Sequence, residues 1–388
     1  MTADRTLILL AAGGTGGHMF PAEALAGELL RRGFTPALVT DRRGQAYGGT
    51  LGAIPVHRIH AGAIAGRNVF GLARGIATLA LGTAEAFLLM RRLRPAVVVG
   101  FGGYASVPAV AAAIATGIPT AIHEQNAVLG RANRLLARRV SQVATSFAAV
   151  SALPPDARVV NTGMPVRPAI PVLRTIPYPS LAADDPASAP FRILVLGGSQ
   201  GARILSEVIP AALALLPEPL RRRIDIAQQC RPEDIEAVRR AYRASGIRAD
   251  LASFFTDVPD RLAAAHLVIA RAGASTVAEL TTAGRPAILV PYPHAVDDHQ
   301  TANAHAVAET GGAWPMPQDV FTPPALAARL QSLIEMPVML EKAAACARAT
   351  GHPDAASRLA DVVEALATSS RHTTTTTTTT TTTGRKVA

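Results

Sequence analysis

Four glycine-rich turns hold the chemistry that this chain can be read for. Gly13-Gly14-Thr15-Gly16-Gly17 follows the apolar run Thr6 to Ala12, and Gly102-Gly103-Tyr104 follows Pro95 to Phe101. Gly197-Gly198-Ser199-Gln200-Gly201 follows Phe191 to Leu196, and Gly273-Ala274-Ser275-Thr276 follows Leu267 to Ala270. Glycine turns sharply with positive φ and brings bare N–H groups up to a ligand. A helix start behind such a turn adds its dipole, so strand, turn and helix together make a seat for an anion such as a diphosphate. A single turn of this kind also serves merely to join a strand tightly to a helix. The polar side chains around the turns therefore carry the decision. His18 sits at the mouth of the first turn, an imidazole whose ordinary pKa suits a general base. His123-Glu124-Gln125-Asn126 runs straight off a buried strand, at the edge where open parallel sheets take ligands. Glu124 is the second candidate base, beside a Gln125-Asn126 pair expected to face substrate. Glu279 lies three positions after Thr276 on one helix face, as natural in a capping box as in a seat for ribose hydroxyls.

Other chemistries fit less of the chain. Asp41 ends the second strand, where a nicotinamide-binding fold holds a ribose, but Met19 occupies the third glycine of G-x-G-x-x-G. Gly197-x-Ser199-x-Gly201 satisfies the G-x-S-x-G elbow of serine hydrolases, with Asp257 or Asp297 and then His299 in the required order. That reading leaves the glycine turns of the first half unexplained, and Gly198 and Gln200 make the loop look like a phosphate cradle. His294, Asp297, Asp298 and His299 match no common metal-ligand spacing. There is no Asp-x-Asp in the chain to hold a cation against a diphosphate, so neither a metal nor a cofactor is expected.

These turns need elements to position them, and the chain has the length and composition to build them. Its 388 residues suffice for two α/β domains; 49% are hydrophobic and only 4% aromatic, as in doubly wound folds. The net charge of +10 rests on arginine, since Lys342 and Lys386 are the only lysines. Such an excess fits diphosphates or an acidic membrane surface. No stretch interleaves aromatic and basic residues as single-strand binders do, so nucleic acid is not expected. Cys230 and Cys346 form no disulfide framework, which points to a reducing cytoplasm. Met1 to Ala12 mimics a signal peptide, but its run is short and leads directly into a strand–glycine–helix unit. Pro21 is placed for a helix start, with Ala22 to Leu30 as the helix. Between Ile54 and Arg94, Arg67, Arg74, Arg91, Arg92 and Arg94 surround Val69, Phe70, Leu72, Ile76, Leu79, Leu81, Phe87 and Leu88. This mix suits docking in an anionic headgroup layer, and equally helices packed on a sheet with arginines outward. Gly75 to Met90, interrupted by Glu85, is too short to span a bilayer. A Pro-, Ala-, Ser- and Asp-rich stretch reads as a linker, and a second strand–glycine–helix cycle begins at Phe191. The predicted divisions are a first domain over 1–165, a linker over 166–190, a second domain over 191–350, a closing helix over 351–367 and a disordered threonine-rich tail over 368–388.

The motifs GGTGGHMFPA (from Gly13), GFGGY (from Gly100), HEQNAVLGRAN (from His123), TGMPVR (from Thr162), GGSQGAR (from Gly197), RAGASTVAE (from Arg271) and DDHQTANA (from Asp297) occur in that order. Together they resemble the membrane-associated N-acetylglucosaminyltransferases of peptidoglycan synthesis, the MurG family, from Leu7 to about Ala367. Met164 stands where the family commonly has asparagine, and His299 where it has an amide or a small polar group. The resemblance implies an α/β GT-B fold, two Rossmann-like doubly wound parallel-sheet domains facing across a cleft, with the last helix returning to the first domain. It implies transfer of GlcNAc from UDP-GlcNAc to the C4 hydroxyl of the muramoyl sugar of lipid I, giving lipid II with inversion. The second domain would hold UDP, with backbone near Phe255 on the uracil, Glu279 on the ribose, and Ser199, Ser275 and Thr276 on the diphosphate. Arg167 and Gln300 would complete the donor site, and Thr15, Gly16, Gly17 and Asn126 would meet the sugar. Gly14, Gly102, Gly103 and Tyr104 are left for the diphosphate of lipid I. The expected location is peripheral, on the cytoplasmic face of the bacterial inner membrane. A UDP-GlcNAc epimerase of the same fold, a serine hydrolase using Ser199 and a sugar-nucleotide sensor without turnover are the alternatives.

Overall fold

The computed structural model describes residues 6–13, 16–41, 49–62, 69–179, 190–198 and 201–378. It divides into two compact units. The first comprises the chain up to Gln125, Leu129–Pro165 and the chain from Asp354; the second comprises Asn126–Val128 and Val166–Pro353.

In the first unit the apolar runs become strands β1 (Leu7–Ala11), β2 (Thr35–Asp41), β3 (Val56–Ile59), β4 (Val97–Gly100), β5 (Thr120–Glu124), β6 (Gln142–Thr145) and β7 (Val159–Asn161). They pair in parallel in the order β3-β2-β1-β4-β5-β6-β7. A parallel sheet is covered on both faces, so its strands are apolar throughout. Alternate side chains of β1 accordingly serve two cores. Ile8 and Leu10 pack with Leu25 and Leu29 of the helix Gly16–Arg31, while Leu9 and Ala11 pack with Met90 of the helix Val69–Leu93 and with Val110 of the helix Val107–Ala115. The last helix, Ala355–Thr378, adds Leu359, Ala360, Val363 and Ala367 to the first of these cores. Arg32 clips it there, donating to Asp361 at 2.6 Å and to the Ser357 hydroxyl at 2.7 Å.

The second unit repeats the plan with β8 (Phe191–Leu196), β9 (Ile224–Gln229), β10 (Arg248–Ala252), β11 (Leu267–Ala270), β12 (Ala287–Leu289) and β13 (Ala313–Pro315). Their order is β10-β9-β8-β11-β12-β13, again all parallel. Both sheets thus begin in the middle, run outward to one side and then restart on the other, the doubly wound order of mononucleotide-binding folds. The order reverses between β1 and β4 in one unit and between β8 and β11 in the other, so ligands belong at the C-terminal ends of those strands.

Three local expectations change. The first helix starts at Gly16, not Ala22, and Pro21 lies inside it. Proline there lies in the second turn, where it removes the bond to the carbonyl of Gly17 and its ring crowds that carbonyl, a local cost carried near the start of the helix. The stretch read as a linker is partly folded on the second unit, with Ile170 and Leu173 buried and Arg174 donating to the carbonyl of Arg348 at 2.9 Å. The backbone stays helical through Thr378, where disorder is expected from 368; a helix already nucleated and packed extends without a further nucleation cost. Among the described residues no helix is long and apolar enough to cross a membrane.

Candidate functional site

In the first unit the switch point gathers loops that lie far apart in sequence. Gly13, two residues past β1, lies so close to the next turn that a Cβ there would stand 2.5 Å from that of Ala105. Gly102 and Gly103 follow β4 with φ of +80° and +68°, which a larger residue adopts only with strain. His18, in the first turn of the helix after β1, lies against that turn; a Cβ on Gly103 would come 3.4 Å from its ring. Its Nδ1 is 3.1 Å from Oε1 of Gln125. Gln125 is 2% exposed and turned inward, not toward substrate as the sequence suggests. Its Nε2 lies 3.0 Å from the carbonyl oxygens of Phe101 and His123 and 3.1 Å from Nδ1 of His123. His123 is fully buried, with Nε2 3.0 Å from the carbonyl oxygen of Gly163, and burial pushes its pKa down to about 4.

Glu124, the other candidate base, has different work. It is buried, and its Oε2 accepts from the backbone N–H of Gly130 and from Nδ2 of Asn133, both at 2.8 Å. Gly130 precedes the helix Arg131–Leu136 and has no side chain to cap it, so the carboxylate supplies the anion that this helix start favours. Gly14, Thr15 and Ser199 lie outside the described residues, and so does Gln200.

In the second unit the loop after β8 is held by Gln229, whose Oε1 accepts from the N–H of Gly197 and whose Nε2 donates to the carbonyl of Gly198 at 3.0 Å. Beside it, after β11, the helix Ala274–Ala283 begins at Gly273, with no side chain among the described residues capping its first N–H groups. Among the described residues, no atom outside its own chain neighbourhood stands within 4 Å of where a Cβ on Gly273 would lie. The Ser275 hydroxyl oxygen is buried and has no hydrogen-bond partner among the described residues. A helix start with donors and a hydroxyl left over is chemically suited to an anion. One turn on, Glu279 (8% exposed) meets Arg167 in a two-pronged pair, Nε to Oε1 at 2.7 Å and Nη2 to Oε2 at 2.8 Å. Ser275, Thr276, Glu279 and Arg167 are therefore brought together.

Gln300 opens the helix His299–Ala308, and its Oε1 accepts from the N–H of Tyr292 at 2.9 Å. Just before it, Asp297 and Asp298 both hold positive φ, a conformation aspartate tolerates at a cost. One turn further, the fully buried Asn303 ties Asn126–Val128 into this unit. Its Oδ1 accepts from the N–H of Ala127 at 2.8 Å, and its Nδ2 donates to Asn126 Oδ1 and to the carbonyl of Ala272, each at 3.1 Å. The side chain of Phe255 is buried beneath Arg261, whose guanidinium stands 3.9 Å over the ring. Among the described residues no three His, Cys, Asp or Glu side chains gather where they could hold a metal ion. The sequence reading gives Asn303 no role and places Gln125 only as facing substrate. The signal present was an amide within each motif, without the distant partners that give it meaning.

Residues 8–145 match the glycosyltransferase family 28 N-terminal domain, and residues 192–359 match the family's C-terminal domain. The chain is 64% identical over 368 residues to the UDP-N-acetylglucosamine--N-acetylmuramyl-(pentapeptide) pyrophosphoryl-undecaprenol N-acetylglucosamine transferase of Paramagnetospirillum magneticum, covering 94% of this chain and 98% of that protein. It is 60% identical to the Rhodospirillum rubrum protein of the same name, covering 93% and 92%. The crystal structure of Acinetobacter baumannii MurG superposes with a TM-score of 0.73 at 32% identity, covering 92% of this chain and 99% of that one. A UDP-GlcNAc 2-epimerase from Neisseria meningitidis shares the fold alone, at 13% identity and a TM-score of 0.64. With the two doubly wound sheets and the loops at their switch points, these likenesses establish that the chain belongs to glycosyltransferase family 28, in the MurG family of N-acetylglucosamine transferases.

Proposed function

We propose that this chain transfers GlcNAc from UDP-GlcNAc to the C4 hydroxyl of the muramoyl sugar of lipid I, giving lipid II and UDP with inversion at the anomeric carbon. The observation that carries this reading is the start of the helix Ala274–Ala283, uncapped and with the Ser275 hydroxyl unpartnered among the described residues, one turn from the Arg167–Glu279 pair. It offers a diphosphate seat next to a carboxylate, as a nucleoside diphosphate sugar requires. Departure of UDP develops negative charge, which helix N–H groups, the Ser275 and Thr276 hydroxyls and Arg167 stabilise where they already stand. Ser199 and Gln300 complete the donor site, and backbone at Phe255 meets the uracil. His18 takes the proton from the attacking hydroxyl. Thr15, Gly16, Gly17 and Asn126 contact the sugar, and Gly14, Gly102, Gly103 and Tyr104 take the acceptor's diphosphate. None of these steps calls for a cation, and transfer is expected to continue in chelator.

Lipid I resides in a membrane, and the helix Val69–Leu93 suits a peripheral dock. Ile76, Leu81, Phe87 and Leu88 are exposed beside the exposed Arg91 and Arg92, a mixture that anionic headgroups favour. The location that follows is the cytoplasmic face of the inner membrane. Transfer of radiolabelled GlcNAc from UDP-GlcNAc into butanol-extractable lipid, with and without EDTA, tests the whole reading. Label is expected in the lipid only when lipid I is present. Epimerised UDP-sugar without acceptor, or binding without turnover, would replace this function with an epimerase or a sensor.

A further inference from the structure

The amide of Gln125 accepts only one orientation. Its nitrogen faces the carbonyl oxygens of Phe101 and His123 at 3.0 Å, and carbonyl oxygens only accept. Reversed, the amide oxygen would meet both of them in a site that is 2% exposed. The third neighbour agrees. Nε2 of His123 faces the carbonyl oxygen of Gly163 at 3.0 Å and so bears the ring proton, leaving Nδ1 with a lone pair toward Gln125. Burial keeps His123 in the neutral form this pattern needs. The oxygen of Gln125 is then what His18 Nδ1 meets at 3.1 Å. An amide oxygen cannot donate, so Nδ1 of His18 carries a proton, and the lone pair of the neutral ring lies on Nε2.

We propose that Gln125 is a positioning residue for the transfer: it holds His18 in the Nδ1–H tautomer and so makes Nε2 the atom that removes the acceptor's proton. This rests on the reading of His18 as the base. As the C4 oxygen bonds to the anomeric carbon, its proton passes to Nε2. The bond from that carbon to the UDP oxygen breaks, and UDP leaves with the electron pair. The resulting imidazolium keeps its Nδ1–H on Gln125 and releases the Nε2 proton to water. With the opposite tautomer, Nε2 would already be protonated and unable to take the proton.

Long-range 1H–15N correlation spectra of the full chain labelled at histidine nitrogen read the tautomer directly, at a pH where histidine is neutral. The His18 signals are assigned by their loss in His18→Ala. The expected result is a protonated Nδ1 and an unprotonated Nε2 in the natural chain, moving toward the reverse in Gln125→Leu. The kcat of that variant should fall by roughly 10²-fold or more while the KM for UDP-GlcNAc holds. A proton on Nε2 of His18 in the unsubstituted protein overturns the proposal, whether or not Gln125→Leu folds. So does a Gln125→Leu spectrum with Nδ1 still protonated. Near-normal kcat in His18→Ala removes His18 from the chemistry, and the positioning role with it, but leaves the tautomer spectrum unchanged, so the two failures are told apart.

Discussion

Glu279→Ala probes the donor site most directly. A carboxylate offers about four acceptor positions. Arg167 occupies one on each oxygen, at 2.7 and 2.8 Å, which leaves about two for ribose hydroxyls. A hydrogen bond to a charged group contributes ~1.5–3 kcal/mol. Each 1.4 kcal/mol is a factor of ten, so losing one such bond raises the donor Kd and KM by about 10- to 150-fold. The substitution also leaves Arg167 without its carboxylate, but that side chain is 28% exposed and water compensates part of the loss. Glu279→Gln keeps one oxygen acceptor without the charge and should fall between the two. Titration calorimetry with UDP-GlcNAc, UDP and uridine measures the effect, alongside initial rates at saturating lipid I. Uridine should show the same proportional loss, because the ribose is the part that all three share. Unchanged donor affinity in a well-folded Glu279→Ala protein, or a loss that falls on the KM for lipid I, would refute the assignment.

Glu124→Gln should lower Tm, because it weakens the anchor of Gly130 and Asn133, and should leave kcat within a few-fold; a fall of ~10² or more in kcat would make Glu124 the base. His123 has a folded pKa near 4 against about 6.5 unfolded, so the native state binds fewer protons between those values. Stability of the first unit should be full above about pH 6.5 and drop by at most roughly 3 kcal/mol as pH falls to about 4, seen as a falling urea midpoint; a flat midpoint counts against it. His266, also held near 4 by burial, moves the second unit in the same direction. Replacing Ile76, Leu81 and Leu88 together with serine should abolish flotation with anionic vesicles, and high salt should weaken it in the unsubstituted protein; unaffected flotation places the dock elsewhere.

What could be read in the sequence was whatever rests on neighbours along the chain. β1, β8 and β11 are mostly apolar runs that lead into glycine turns, and both the strand and the turn behind it are local signals. β3, β6 and β13 went unread. Val56–Ile59 mixes His57 and Arg58 into an edge strand, and Ala313–Pro315 ends on a proline at the opposite kind of edge. Such segments are strands because a neighbouring strand offers them a ladder. The site divides in the same way. Glycine turns and the Ser275-Thr276 helix start were visible, whereas Arg167 finds Glu279 across 112 positions and His18 finds Gln125 across 107. The expected docking residues were sorted only by packing. Leu79 rests against the core, Ile76 and Leu88 do not, and the side chains of Phe70 and Leu72 lie outside the described residues.

The way the two units share the chain has a consequence for how the molecule is made. The chain leaves the first unit at Gln125, returns at Leu129, leaves again at Pro165 and comes back only at Asp354. During synthesis Ile8, Leu10, Leu25 and Leu29 emerge early, yet the side chains that cover them, Leu359, Ala360, Val363 and Ala367, emerge after the whole second unit. Domains usually fold in the order in which they leave the ribosome. Here the order reverses at the last step: the unit begun first is the one finished last. A nascent chain halted near Pro353 would hold a second unit with all its strands and a first unit still presenting an uncovered apolar face, the natural target of a holding chaperone.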